Sequence, residues 1–158
     1  METLSNFRWK VMRNMPTPRF RSAVVRITSF GFLVIGGTNL ENQSGLYSAE
    51  IFFDTTFNER DIQVWNRVEP MLRPCSQPLS SSLEERVFVI DGEGHAAHIQ
   101  MFRYFYGDNG QWTLFLRHNN PNNHSMCWSL STFRNMLLLS CAYTISLLRL
   151  SNASDFMP

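Results

Sequence analysis

The sequence is poor in the features that mark secreted, metal-binding and membrane proteins. It contains only three cysteines, Cys75, Cys127 and Cys141, an odd number without the spacing of a disulfide framework or a zinc site. Residues 1–20 lack the apolar core of a signal peptide. The most apolar run, residues 136–150, is interrupted by polar side chains and is too short to cross a bilayer. We therefore expect a cytoplasmic protein with reduced, buried thiols.

Motifs that carry known chemistry are also missing. The chain has no Gly-x-Ser-x-Gly nucleophile elbow, no phosphate-binding loop and no Cys-x-x-Cys motif. Residues 91–98 hold two histidines beside two carboxylates, a combination that can bind a metal ion. The same residues follow an apolar run, where a turn requires glycine and aspartate in any case. We therefore expect no metal, no cofactor and no enzymatic activity.

Charge of one sign is scarce over the chain as a whole. The net charge is +1, which gives no general attraction to nucleic acid or to a membrane, and we expect neither partner. The basic residues are unevenly placed, because several precede position 27 against Glu2 alone. This segment is either a solvated edge with the arginines of a structural motif, or a patch that binds phosphate or acidic groups. Its basic residues are Arg8, Lys10, Arg13, Arg19, Arg21 and Arg26.

What the sequence does contain is a repeat of about 50 residues. An apolar, strand-like run ends at Gly36 and Gly37, and residues 86–92 repeat this pattern up to Gly92. Glycine tolerates positive φ and close backbone approach, so the glycine pair predicts a sharp turn after a buried strand. Other landmarks recur in the same order along the chain. They are Met15 with Met71, Trp9 with Trp65, Phe52 with Phe102, and Trp65 with Trp112.

These landmarks resemble the motif of the kelch-repeat family. In that family a Met-Pro-x-x-Arg stretch precedes an apolar strand, a glycine pair, a strand with a glutamate and a late tryptophan. In the first copy the motif corresponds to residues 15–19, Gly36, Gly37, Glu50 and Trp65. The resemblance implies structural roles for these residues in turns, hydrogen bonds and packing between sheets.

The second copy keeps Gly92 and Trp112 but departs from the motif at three positions. Asp91 replaces the first glycine, Cys75 stands where the arginine stood, and Gln100 replaces the glutamate. Glutamine keeps the hydrogen-bonding capacity of glutamate and removes its charge.

The resemblance implies an all-β fold, a kelch-type β-propeller. Two four-stranded blades are expected at residues 20–68 and 78–117, with an outer strand of a preceding blade at 7–13 and a degenerate partial blade at 125–150. Two and a half blades cannot close a ring, because propellers usually have four or more. We therefore expect the chain to be part of a longer protein or to associate.

The resemblance also implies a protein-binding rim, formed in the family by the loop between blades and the loop after the glycine pair. An exposed guanidinium forks onto carboxylates, so we expect Arg21 to bind an acidic protein segment. Arg19 has a second interpretation, in which it ties its loop down, and Glu41 and Glu50 are local acids with which these arginines can pair. The expected rim residues are Arg19, Arg21, Thr38, Asn39, Asn42, Gln77, Glu93 and His95.

The family itself implies three kinds of role. Many kelch-like proteins bring substrates to a cullin ubiquitin ligase, and this adaptor role is our first expectation. Others bind actin, which makes a cytoskeletal scaffold the second. Some kelch propellers are oxidases or cyclotransferases, but they use a closed ring and residues from distant blades, for which this sequence offers no counterpart.

Overall fold

A computed structural model describes residues 9, 11–27, 31–57, 60–91, 96–105, 108–119, 127–141 and 145–150. These residues form thirteen β-strands and no helix, which confirms the all-β expectation. The strands are β1 (Arg19–Phe20), β2 (Ala23–Arg26), β3 (Gly31–Ile35), β4 (Thr38–Asn39), β5 (Ala49–Phe57), β6 (Arg60–Arg67), β7 (Pro78–Leu83), β8 (Arg86–Asp91), β9 (Ala96–Arg103), β10 (Gln111–Asn119), β11 (Cys127–Phe133), β12 (Met136–Cys141) and β13 (Ile145–Arg149).

Each larger sheet is an antiparallel meander in which chain order is also spatial order. The first sheet is β2-β3-β5-β6, the second is β7-β8-β9-β10, and the third is β11-β12-β13. Strands β1 and β4 form a separate two-stranded ribbon beside the first sheet. Across the described part of the chain, no helix is long and apolar enough to span a membrane.

Two hydrophobic cores place the second sheet between the other two. Leu33 and Ile51 of the first sheet pack with Val89 and Phe102 of the second. The opposite face of the second sheet packs against Leu137 and its neighbours in the third. Strand β8 is therefore apolar on both faces, as its continuous run of buried residues requires. Strand β2, at the edge of the first sheet, instead alternates half-buried and exposed side chains.

Adjacent sheets converge at their first strands. Sheets packed face to face lie about 10 Å apart. Strand β2 nevertheless comes within 8 Å of β7, and β7 within 8 Å of β11, between Cα atoms. The three sheets are thus stacked like wedges, with their narrow edges together.

The first two sheets repeat each other in detail, which confirms the internal repeat. Phe52 packs on Trp65 with ring centroids 4.8 Å apart, and Phe102 packs on Trp112 at the same distance. The indole N–H of Trp65 donates to the carbonyl of Arg13 at 3.0 Å. That of Trp112 donates to the carbonyl of Glu69, 56 positions further along the chain, at 2.8 Å.

One expected element is not found in the part of it that the structure describes. Residues 9 and 11–13, which we expected to form the outer strand of a preceding sheet, are not in a strand, and Trp9 and Val11 are fully exposed. An extended segment needs a neighbouring strand to satisfy its backbone, and among the described residues this segment has none. It contacts the first sheet by a few side-chain bonds instead, such as Arg13 N–H to Gln63 Oε1 at 3.3 Å.

Candidate functional site

The turn at Gly36 and Gly37 ends strand β3 and depends on both glycines. Their φ angles are +52° and +92°, which confirms the prediction of a left-handed turn. A Cβ on Gly36 would lie 2.8 Å from the carbonyl oxygen of Cys75, and one on Gly37 would lie 2.6 Å from that of Phe20. The turn therefore combines a backbone angle that favours glycine with close contacts to two other segments.

Three segments meet around this turn, and we call them together the loop cluster: residues 19–22, 36–46 and 74–77. Phe20 is paired with Thr38 in the two-stranded ribbon. The N–H of Gly37 donates to the carbonyl of Cys75 at 2.9 Å, and the hydroxyl of Thr38 donates to that of Ser76 at 3.0 Å. The loops of the first two sheets are thereby joined in one surface.

Arg19 lies beneath this surface rather than on it, so its expected place at the rim was wrong. Its guanidinium donates to the carbonyls of Gly36 and Ser48, both at 2.9 Å, and to the Ser48 hydroxyl at 2.9 Å. Nη2 also lies 3.2 Å from Oε2 of Glu50, and both side chains are buried. Burial lowers the pKa of Arg19 and the Glu50 carboxylate opposes that shift. Arg19 therefore ties the entry loop to strand β5, and the expected pairing with Glu50 is confirmed.

The second sheet builds the same junction without charge. Cys75 occupies the place of Arg19, and Gln100 Nε2 donates to its sulfur at 3.6 Å. Gln100 also bonds the backbone N–H and carbonyl of Arg73, at 2.9 and 3.1 Å. In the first sheet Thr17 plays the corresponding part, because its hydroxyl donates to Glu50 at 2.5 Å. Burial raises the pKa of the Cys75 thiol to about 12, with a further increase from Asp91, so the thiol stays neutral.

The other expected rim residues differ in exposure. Thr38 is buried, which corrects its placement at the rim, because its hydroxyl holds the two loops together. Asn39 and Asn42 are accessible, but their side-chain oxygens accept from Glu41 N–H and Ser44 within the loop. Gln77 is half-buried, and its N–H donates to Asp91 at 3.3 Å. The remaining rim residues, Glu93 and His95, lie outside the described residues, as does Gly92, for which a structural role was expected.

Arg21 is an expected rim residue that lies at the surface. It is exposed, and its guanidinium carbon lies 5.5 Å from the ring centroid of Phe20. Among the described residues no carboxylate forms an ion pair with it, so the alternative pairing with Glu41 is not observed. Its φ is +58°, an angle that is strained for a side-chain-bearing residue. The same backbone conformation recurs in the hairpin turns at Glu84 and Arg134.

Sequence reasoning missed Leu40, which is also exposed on the loop cluster. It lies in the turn after β4, where the other residues from 38 to 45 are polar or glycine. The sequence signal that could have identified Leu40 is that it is the only large apolar residue between positions 38 and 45, so no apolar neighbour in this stretch can cover it. Together with Arg21 it gives the loop cluster one cationic and one apolar contact group.

A cleft and the placement of potential metal ligands also bear on chemistry. A cleft of about 340 Å³ is lined by residues 65–68, Tyr104, Asp108 and Asn109, and it shares no residue with the loop cluster. Within the described ranges, no group of three or more His, Cys, Asp or Glu side chains is arranged to hold a metal ion.

No family model matches this chain, and no curated protein matches it either. The functional assignment therefore depends on the internal geometry of the molecule. Its strongest elements are the structural repeat of the first two sheets and the exposed guanidinium of Arg21 on the loop cluster.

Proposed function

We propose that this chain is a protein-binding kelch-type repeat module, a partial β-propeller that recognises an acidic protein segment through its loop cluster and without a cofactor. The first two sheets are its full blades, and the third is a partial blade. The observation that carries the proposal is the exposed guanidinium of Arg21, held in a strained backbone conformation beside the glycine turn.

The architecture supports the propeller part of the proposal. Meanders of four strands repeat with equivalent tryptophan bonds, and each sheet packs face to face on the next. Their first strands converge, which is the geometry that radial stacking around an axis needs. In such folds the strands are fixed by packing, while the connecting loops are free to vary and to bind.

The chemistry of the loop cluster supports an acidic partner. Arg19 and Arg21 are two residues apart, but Arg19 donates its hydrogen bonds to groups inside the protein, whereas Arg21 is exposed at the surface. A guanidinium offers five N–H donors in a planar fork that matches a carboxylate. Leu40 adds an apolar surface on the same cluster, which suits a peptide with alternating acidic and apolar side chains.

Arg134 provides a matched control for Arg21. It is also exposed, also has a positive φ, of 52°, and lies 5.4 Å from the ring of the preceding phenylalanine, Phe133. It occupies the hairpin turn between β11 and β12, away from the loop cluster. Substitution at the two sites therefore changes the same kind of residue in the same kind of backbone.

The test selects binders from a phage-displayed library of random peptides on the wild-type chain. The selected peptides are expected to be acidic, and their affinity is then measured by fluorescence anisotropy. Arg21→Ala should weaken binding by about 1–3 kcal/mol, as for a lost hydrogen bond to a charged group. Arg21→Glu should weaken it further, added salt should narrow the difference, and Arg134→Glu should bind like wild type.

Equal binding by wild type and Arg21→Glu at low salt would exclude this surface and direct attention to residues 91–97. The more specific roles are separated by the protein that the chain captures from cells. A cullin among proteins retained by wild type and Arg134→Glu, but lost with Arg21→Glu, favours the ubiquitin-ligase adaptor. Actin in the same comparison favours the cytoskeletal scaffold.

A further inference from the structure

Two sheet faces are open at positions whose counterparts elsewhere in the repeat are buried. On the second strand of each sheet, the equivalent residues are Phe32, Val87 and Leu137, which are paired with Phe52, Phe102 and Leu148 on the third strand. Val87 and Leu137 are 3% and 1% exposed, because the preceding sheet covers each of them. Phe32 is 45% exposed. We call the face that carries Phe32 and Val24 the outer face of the first sheet; it is open at these two residues, whereas Val34 and Phe52 on the same face are 7% and 6% exposed.

The third strands show the reverse pattern. Ile51, Met101 and Leu147 are equivalent, since they are paired with Leu33, Phe88 and Leu138. Ile51 and Met101 are 0% and 6% exposed, and the following sheet covers each of them. Leu147 is 64% exposed, and Ile145 on the same face is exposed as well. This is the outer face of the third sheet.

The two outer faces are complementary in kind. Between the first and second sheets, the face that carries Ile51 packs against the face that carries Val87. Between the second and third sheets, the equivalent faces, those of Met101 and Leu137, pack in the same way. We call these two kinds of face the Ile51 type and the Val87 type. The outer face of the third sheet is of the Ile51 type, and that of the first sheet is of the Val87 type. Packing one against the other would repeat a contact that the chain already makes twice.

We propose that the occupant of both faces is a second copy of this chain, joined head to tail. The outer face of the third sheet of each copy covers the outer face of the first sheet of the other. Two copies bring six described sheets together, within the range of 4–8 blades at which propellers close. The convergence of the first strands supplies the wedge shape that such closure needs. The assembly follows from the open faces and does not depend on peptide binding by the loop cluster.

Head-to-tail contact between different faces predicts complementation, which contact between identical faces does not. Phe32→Lys damages only the outer face of the first sheet, and Leu147→Glu damages only that of the third. Each variant alone forms a dimer in which both interfaces are damaged. A mixture forms one native interface and one in which the introduced lysine and glutamate face each other as opposite charges.

The test measures the mass of the full chain by analytical ultracentrifugation over a range of concentrations. Wild type is expected to form dimers, each single variant should dissociate at least about tenfold more readily, and an equimolar mixture of the two should restore the dimer. Leu40→Glu, an equally simple change on neither face, should leave the dimer intact. Circular dichroism checks folding, and Val24→Lys or Ile145→Glu replaces a variant that fails to fold.

Three results would overturn the proposal. One is a wild-type chain that remains monomeric at every concentration. Another is a dimer that survives either single substitution. The third is an equimolar mixture of the two variants that stays monomeric, which would contradict head-to-tail contact between different faces.

Discussion

The effect of Glu50→Gln on the free energy of unfolding should depend on Arg19. The substitution should destabilise the wild-type protein and stabilise the Arg19→Cys variant. Arg19→Cys leaves the buried Glu50 carboxylate with Thr17 as its hydrogen-bond donor among the described residues. Removing one partner of a buried ion pair costs about 3–5 kcal/mol, because the other charge is left uncompensated. Glu50→Gln alone leaves Arg19 with its carbonyl and hydroxyl acceptors, so we expect a smaller loss of about 1–3 kcal/mol.

The double variant, Arg19→Cys with Glu50→Gln, copies the neutral pair that Cys75 and Gln100 form in the second sheet. No buried charge is then left without a partner. Glu50→Gln should therefore stabilise the Arg19→Cys protein by at least about 1 kcal/mol, although it destabilises wild type. The reverse change at the second junction, Gln100→Glu, should be destabilising because Cys75, in the place of Arg19, offers the buried carboxylate no opposite charge.

The assay is urea denaturation at neutral pH, followed by the fluorescence of Trp65 and Trp112, which pack within the two sheets. The four proteins of the cycle give the coupling free energy between positions 19 and 50. If Glu50→Gln were to cost the same free energy of unfolding in both backgrounds, the ion pair would not be what stabilises this junction.

Three further predictions concern the turn, the thiol and the tryptophan bonds. At Gly37, φ is +92° and an added Cβ would contact backbone, so Gly37→Val should unfold the first sheet or lower its stability by more than about 1–2 kcal/mol. Gly45→Val should cost less, and an unchanged melting temperature for Gly37→Val would show that the turn does not need glycine. Folding raises the pKa of Cys75 from 9.0 to about 12, so the folded chain keeps a proton that the unfolded chain loses. Stability should then fall by about 1.4 kcal/mol per unit as the pH rises from 9 towards 12, and Cys75→Ala should abolish that slope in denaturation curves. Trp112→Phe removes the bond to Glu69 and should cost more than Trp65→Phe, since Trp112 is buried and Trp65 only partly so; equal losses in melting would contradict this ranking.

Much of the fold could be predicted from the sequence because the repeat is marked by glycine and tryptophan, whose roles in turns and packing few other residues can fill. The glycine turn, the order of the strands and the equivalence of Trp65 and Trp112 all follow from such landmarks. Residues 9 and 11–13, the described part of the expected strand at 7–13, are not in a strand, because alternation of apolar and basic residues shows a strand's period but not whether a neighbouring strand is present.

The candidate site was harder to predict because burial depends on distant partners. Arg19 and Arg21 look alike in sequence, and only the position of Glu50 on β5 decides that the first is buried. Thr38 belongs to a polar loop, but contact with Ser76, 38 positions away, removes it from the surface. Leu40 was overlooked because a single apolar residue in a turn has no periodicity.

The most direct test of the proposed recognition surface is hydrogen–deuterium exchange with and without a selected acidic peptide. Slower exchange is predicted in the three segments of the loop cluster, residues 19–22, 36–46 and 74–77, and Arg21→Glu should abolish it. Protection confined to the opposite hairpin turns, at Glu84 and Arg134, would contradict the assignment.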